Sequence, residues 1–229
     1  VSSSNSTLYG RTFLEVFPHT RAYLLRFNLD TPVVGLVATL EPFRYPPGWF
    51  EQRVRDSELG KALKSLTLAD RFQLFGTLLA GTESLHEYSR DAELNTDDHP
   101  VVIFGAPRFT YQRGETAYGR LFALLERCQA DPRELIQVEN NPASEQFAVE
   151  LARFIAARNV YLRGLLAENQ GDLLRATEAC VESARMSAEF STGYAHGLTI
   201  AMQWAKTKPA HARDLLQRLA EAQPARPVA

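Results

Sequence analysis

The sequence predicts an α+β fold in which an antiparallel β-hairpin is followed by a mostly helical half. Two β-rich runs, residues 21–27 and 33–40, stand a few residues apart with turn-forming residues between them, which is typical of a hairpin. From about Glu115 onward, apolar residues recur at helical spacing. The chain has 229 residues, enough for one or two domains. We therefore expect an α+β domain over residues 1–112 and a helical domain over residues 113–229.

Composition narrows the class of protein. The hydrophobic fraction is 45% and the charged fraction 23%, which is ordinary for a soluble globular protein. The net charge of −2 and the sequence pI of about 6.3 argue against a nucleic-acid-binding protein, whose domains are usually strongly basic. Two cysteines, Cys128 and Cys180, are too few for a disulfide framework.

The chain carries no signal for membrane insertion or secretion. No apolar run approaches the roughly 20 residues that a membrane helix needs. The first residues, VSSSNSTLYG, begin at Val1 rather than Met and lack the apolar core of a signal peptide. We expect the chain to be a piece of a longer protein that does not itself enter a membrane.

The N-terminal elements are a short helix and the hairpin. Apolar residues share one side of Thr7–Phe17, and Pro18 follows as a stop. The first strand, Arg21–Phe27, alternates between apolar and polar residues, whereas the second, Val33–Leu40, is apolar on both faces. Because a strand that is apolar on both faces belongs inside a larger sheet, we expect the hairpin to be largely buried and to complete a partner sheet.

Short elements follow the hairpin. The loop Pro42–Trp49 is rich in proline and aromatic residues, which either pack together or stack a ligand. The spacing of apolar residues predicts three helices, over Trp49–Leu63, Leu66–Ala80 and Thr82–Tyr88. A polar turn, Leu94–Pro100, then leads into a short β run, Val101–Phe104.

The remaining chain is predicted to be helical throughout. We expect helices over Ala117–Cys128 and Ser144–Ala157, separated by a turn of helix over Arg133–Val138. The clearest linker is Asn140–Pro142, and we expect the two parts of the protein to join there.

A repeat follows this linker. Tyr161 and Gly164 are followed about one period later by Tyr194 and Gly197, and the offset is close to the 34-residue period of tetratricopeptide repeats. In such repeats small residues let paired helices approach closely. We therefore expect a tetratricopeptide-like helical domain whose groove is built from the following residues: Arg158, Tyr161, Leu165, Glu168 and Asn169.

One helix pair of this repeat can be specified further. We expect Gly164 and Ala176 to face each other across the pair, with Gly171 in the connecting turn at positive φ. The alternative is one long helix that runs through Gly171 and leaves Ala176 exposed.

The most polar constellation is the turn that contains Asp97, Asp98 and His99. Two adjacent carboxylates could bind a cation or an amine, with the histidine as a proton acceptor. Alternatively, the carboxylates accept backbone N–H groups within the turn and have only a structural role. The sequence leaves both interpretations open.

Apart from this turn, the sequence contains no recognisable catalytic or cofactor-binding motif. The five histidines do not stand at the spacing of a metal-binding helix. There is no glycine-rich dinucleotide or phosphate loop and no nucleophile elbow. From these residues we assign no catalytic residue, no metal site and no cofactor to this chain.

Two stretches carry a family resemblance. TFLEVFPHTRAYLL, followed by the hairpin that ends in GLVATL, resembles the end of a methyltransferase-like domain of the spermidine-synthase type. LNTDDHPVVIFGAPR, residues 94–108, resembles the N-T-D-D-x-P…A-P-R segment of bacterial proteins in which such a domain follows a multi-helix membrane module. The resemblance covers Thr7–Arg108 well and the helical tail loosely.

The resemblance implies a role in polyamine biosynthesis for a longer parent protein. Spermidine synthases are transferases that bind decarboxylated S-adenosylmethionine through a glycine-rich loop and acidic residues, and none of these motifs is in this chain. The hairpin would complete the methyltransferase-like sheet, and the parent would lie on the cytoplasmic side of the inner membrane, tethered by its membrane module. The partner of this chain would be the upstream part of the same protein.

A second hypothesis belongs to another class of protein. The helical repeats alone would form a protein–protein interaction or assembly module without enzymatic activity. A glycine-rich loop with acidic residues in the coding sequence upstream would favour the first hypothesis.

Overall fold

The computed structural model describes residues 5–26, 29–54, 57–68, 70–100 and 116–226. The protein has an α+β fold, mostly helical with a three-stranded antiparallel sheet, as the sequence predicted. It forms two compact units, one of Val1–Leu66 with Thr77–Ala148, the other of Thr67–Gly76 with Val149–Ala229. The ranges expected from the sequence, 1–112 and 113–229, place the division earlier in the chain and do not include Thr67–Gly76 in the second unit.

The first unit contains the sheet. Its helix α1 (Asn5–Val16) leads into β1 (His19–Arg26) and β2 (Val33–Thr39), and β3 (Leu78–Ala80) joins later. The strand order is β2-β1-β3. In the register, Ala22 of β1 lies opposite Leu36 of β2 and Ala80 of β3, and the predicted antiparallel hairpin is confirmed.

The expectation that the hairpin is largely buried is wrong for its second strand. β1 is central and holds buried Ala22 and Leu24, whereas β2 is an edge strand whose residues are exposed or half-buried on both faces. Among the described residues, no strand pairs with the outer edge of β2. The apolar pattern of β2 was identified correctly, but the neighbour that would bury it is not part of the described structure.

The core of the first unit lies between the sheet and two helices. α1 and α5 (Thr82–Ser89) pack against each other and against β1. Leu14 of α1 and Leu85 of α5 are buried there with the strand residues Leu24 and Leu78. The further described helices of this unit are α2 (Trp49–Arg53), α3 (Glu58–Ser65), α6 (Ala117–Arg127) and α7 (Pro132–Leu135).

Two predicted helices are divided in the structure. The segment predicted as Trp49–Leu63 forms α2 and α3, because the Ser57 side chain accepts the Gly60 N–H and caps a new helix. The prediction of one helix over Leu66–Ala80 is wrong. The segment forms α4 (Arg71–Phe75), capped by Asp70, and then β3, which pairs with β1.

The second unit consists of α4 and the C-terminal helices. α8 (Pro142–Asn169) begins in the first unit and continues into the second, so the predicted end at Ala157 is wrong: no helix-breaking residue stands there. α9 (Leu173–Met186), α10 (Ser191–Thr207) and α11 (Pro209–Ala222) pack against one another. The predicted β run Val101–Phe104 lies outside the described residues.

The predicted turn between paired helices is confirmed. α8 ends at Asn169, α9 begins at Leu173, and Gly171 between them has a φ of 83°, a conformation that favours glycine. A Cβ built on Gly164 would lie 2.6 Å from the Cβ of Ala179 and 3.4 Å from the carbonyl oxygen of Ala176. Ala176 is buried, so the alternative of one continuous helix is excluded.

Candidate functional site

The polar turn at residues 96–99 is closed by its own backbone. The Thr96 N–H donates to the His99 carbonyl oxygen at 3.2 Å, and the His99 N–H donates back to the Thr96 carbonyl oxygen at 3.1 Å. Asp97 and Asp98 at its tip are exposed. His99 Nε2 lies 3.8 Å from Oε2 of Glu93, which is also exposed. The turn therefore presents its charges to solvent.

Of the five residues predicted to build a groove, two lie in the core of the second unit. Arg158 is 0% exposed. Its guanidinium donates to the Gly76 carbonyl oxygen at 2.6 Å and to the Asn159 side chain. Burial lowers the pKa of Arg158 to about 9. Tyr161 is also buried, so both residues support the packing of α8.

The other three predicted groove residues reach the surface. Leu165 and Glu168 are half-buried and Asn169 is exposed. All three lie on the last two turns of α8, so the accessible part of the predicted groove is confined to the end of that helix.

The structure joins Tyr161 and Glu168 through a third residue, His196 of α10. The Tyr161 hydroxyl lies 3.2 Å from His196 Nδ1, and His196 Nε2 lies 3.2 Å from a Glu168 carboxylate oxygen. Tyr161 and Glu168 are seven residues apart and therefore share one face of α8. The Tyr161 and His196 rings meet edge to face, with their centroids 5.7 Å apart.

Burial keeps the hydroxyl of this Tyr161–His196–Glu168 cluster protonated. Burial, with smaller contributions from the nearby Cys180 and Glu168, raises the pKa of Tyr161, so its hydroxyl can donate to His196 Nδ1. Burial and Glu168 also raise the pKa of Cys180 to about 12. Neither the phenol nor the thiol is activated as a nucleophile, and the cluster acts as a polar connection between two helices.

Sequence reasoning did not identify His196. Tyr161 and Glu168 followed from the repeat, but a histidine on the next repeat can be placed only when the packing of α10 on α8 is known. The one available signal was its position between Gly193 and Gly197, two glycines that mark the contact face of that helix.

A buried arginine organises the first unit. Arg21 of β1 donates to the backbone carbonyl oxygens of Phe43 and Glu134, and it lies near Tyr23 and Tyr45. Burial, with a smaller contribution from Tyr45, raises the pKa of Tyr23 to about 12. Arg21 thus connects the sheet to the aromatic loop and to α7.

The aromatic residues of the loop pack against one another. The Phe43 and Tyr45 rings meet edge to face with centroids 5.0 Å apart, and the Tyr45 and Trp49 centroids are 4.5 Å apart. These contacts favour the packing interpretation of this aromatic cluster over ligand stacking.

A cleft of about 450 Å³ lies between α1 and α5. Both arginines that line it have partners within the unit. Arg11 donates to the carbonyl oxygens of Arg90 and Ala92, just after α5, and Arg90 pairs with Glu87. The described part of the chain holds no group of three or more histidine, cysteine or acidic side chains placed to bind a metal ion.

Among the described residues, an exposed apolar surface lies along β2. Val33, Val34 and Val37 are 43%, 41% and 53% exposed, and Leu25 and Leu40 beside them are more exposed still. We call these five residues the β2 edge patch. The strand VVGLVAT contains no charged residue, although natural edge strands usually carry charges, prolines or bulges that prevent pairing.

Comparisons with known proteins do not identify a family for this chain. No family model matches it, and it matches neither a curated protein nor a solved structure. Within the described residues, no helix combines the length and apolarity needed to cross a bilayer.

Proposed function

We propose that this chain is the C-terminal segment of a spermidine-synthase-like, aminopropyltransferase-type protein, and that it carries neither the nucleotide-binding nor the catalytic motifs. The observation that supports the proposal is β2, a strand that is apolar and exposed on both faces and at its outer edge. Strands of this kind are found in sheets with helices on both faces. A methyltransferase-like sheet, the fold that the sequence resemblance implies, has this construction.

In this proposal the first unit has a structural role in the parent protein. β1 and β2 extend the catalytic sheet, while decarboxylated S-adenosylmethionine and the polyamine bind to residues upstream. The parent is tethered to the cytoplasmic side of the inner membrane through its own membrane module. Asp97, Asp98 and His99 receive no catalytic role, because their turn faces solvent.

The coding sequence upstream of Val1 provides the first test. We expect a β-strand followed by a glycine-rich loop, and acidic residues at the ends of the next strands. Calorimetry provides the second test: the isolated chain should not bind decarboxylated S-adenosylmethionine, whereas the longer protein should. An upstream sequence without these motifs, or micromolar binding by this chain alone, would contradict the proposal.

A second candidate function is a protein–protein interaction module formed by the helices of the second unit. The observation that favours it is the surface at the end of α8, where Leu165, Glu168 and Asn169 are accessible beside His196. Site-specific photocrosslinking tests it in cells. A crosslinker at Asn169 should capture one discrete partner, and a matched crosslinker at exposed Glu178 on α9 should not. Equal capture from both positions, or none from Asn169, would argue against this function.

A further inference from the structure

We infer that the second unit carries a binding site for a short aromatic helix, which the chain's own α4 occupies and which a partner protein with the same pattern can take over. α4 lies in Thr67–Gly76, a segment that packs with the second unit although the residues before and after it belong to the first. Its five residues are far too few for a helix that is stable by itself. The conformation of α4 therefore depends on the surface to which it binds.

Two phenylalanines anchor α4 to this surface. Phe72 and Phe75 stand three positions apart and therefore lie on one face of the helix, and both are buried. The Phe72 ring stacks on the ring of Phe154 in α8, with 5.9 Å between the centroids and an interplanar angle of 27°. The Phe154 ring also meets the Phe190 ring edge to face at 5.2 Å. Phe72 thus joins an aromatic cluster that belongs to the second unit.

The C-terminal end of α4 is recognised through its backbone. The Arg158 guanidinium donates to the Gly76 carbonyl oxygen at 2.6 Å, and Arg158 is fully buried. Because a buried cation that loses a hydrogen-bond acceptor is costly, the site favours a ligand that places a carbonyl oxygen there. A Cβ on Gly76 would lie 2.2 Å from an atom of the Phe154 ring, so glycine is the residue that fits at this position.

These contacts define the partner. The site fits one helical turn with the pattern F-x-x-F-G, whose two aromatic side chains and terminal carbonyl make the contacts that α4 makes. Helices that bind a groove through apolar residues at such spacing are a common form of peptide recognition. While α4 is bound, the site is closed to a partner, so α4 acts as an internal competitor. The site differs from the surface at the end of α8, where the second candidate function would operate.

Hydrogen exchange on the unmodified full chain, with a synthetic peptide of residues 67–77 as the probe, gives the first test. A segment held in the same chain competes at an effective concentration of about 1 mM, so about 1 mM peptide should displace α4 from roughly half of the molecules. After equilibration the α4 amides should exchange faster, while the α9 amides should not. The matched control peptide carries serine in place of both phenylalanines and should leave the exchange of α4 unchanged.

A variant in which α4 is released gives the second test. Phe72→Ser combined with Phe75→Ser removes both anchors, and fluorescence anisotropy of the labelled peptide measures its binding to the vacated site. We expect the peptide to bind this variant at least about tenfold more tightly than the unmodified chain, because only the unmodified chain carries the internal competitor. Circular dichroism shows whether the variant is folded, and the exchange measurement on the unmodified chain does not depend on it.

Three results would overturn this assignment: α4 exchange that the peptide does not change, equal effects of the peptide and its serine control, or equal binding of the peptide to a folded double variant and to the unmodified chain. Each would mean that α4 is a fixed part of the core rather than an exchangeable ligand. The proposed functions are tested separately, because none of these results bears on the motifs upstream of Val1 or on crosslinking from Asn169.

Discussion

Replacing Ala176 by leucine should destabilise the second unit by overpacking. Ala176 is buried in α9, and its carbonyl oxygen lies 3.4 Å from where a Cβ on Gly164 would stand. Ala179, one turn later, would be only 2.6 Å from that Cβ. The two helices are therefore in close contact at this level, and the three extra carbon atoms of leucine have to be accommodated where the alanine side chain is already buried. Insertions of this kind cost about 1–3 kcal/mol in the free energy of unfolding.

Thermal unfolding measures this cost. For a chain of this size, each kcal/mol lowers Tm by about 2–4 °C, so we expect Ala176→Leu to lower Tm by about 2–12 °C. The matched control is Glu178→Ala on the same helix, where the side chain is exposed and the expected change is within about 0.5 kcal/mol. Equal, small shifts for both variants would refute the close packing of α8 and α9 and, with it, the repeat interpretation.

Three further predictions concern individual side chains: Arg21, the two cysteines, and the pair of His196 and Glu168. Arg21→Met removes the donor for two backbone carbonyl oxygens and should lower the free energy of unfolding in urea by about 2–5 kcal/mol. Burial raises the pKa of Cys128 to about 11 and of Cys180 to about 12, so neither thiol should react with Ellman's reagent near neutral pH until urea unfolds the chain. Because the unfolded chain ionises its thiols above about pH 8.5, stability should fall between about pH 9 and pH 11. Finally, a double-mutant cycle with His196→Gln and Glu168→Gln should give a coupling free energy of about 0.5–1 kcal/mol, and a value of zero would show that the two side chains do not interact.

Local patterns predicted the hairpin, and non-local pairing decided how much of it is buried. The alternation in β1 and the turn residues after it are short-range signals, and they placed both strands to within about two residues. Burial of β2 depends on what lies beside its outer edge, which a pattern inside the strand cannot reveal. The two-faced apolar sequence of β2 therefore predicted a need for a neighbour rather than the presence of one.

The segment Leu66–Ala80 is a second case in which a local pattern could not reveal a non-local pairing. Its apolar residues fit a helical period, and Phe72 and Phe75 do lie in a helix. Leu78–Ala80 is too short for the spacing of its apolar residues to distinguish a helix from a strand. It forms a strand because its backbone pairs with that of β1. Choosing between helix and strand there required a contact between residues more than 50 positions apart.

The sequence also predicted only part of the Tyr161–His196–Glu168 cluster. The repeat spacing identified Tyr161 and Glu168 on one face of α8, a property of a single helix. His196 joins them only because α10 packs against α8 at that level, and Arg158 is buried because its guanidinium reaches the Gly76 carbonyl oxygen. Both outcomes depend on which helices become neighbours, and spacing along one helix contains no information about that.

The exposed area of the β2 edge patch sets the free energy that a partner could gain by covering the strand. Complete burial of one valine contributes about 1.5–3 kcal/mol. Because Val33, Val34 and Val37 are each about half exposed, roughly 2–4 kcal/mol remains for a partner that covers both faces. A sheet that paired with the edge of β2 and carried helices on both sides would cover both faces of the strand. The available free energy therefore favours membership of β2 in a larger sheet, which is the arrangement that the proposed function requires.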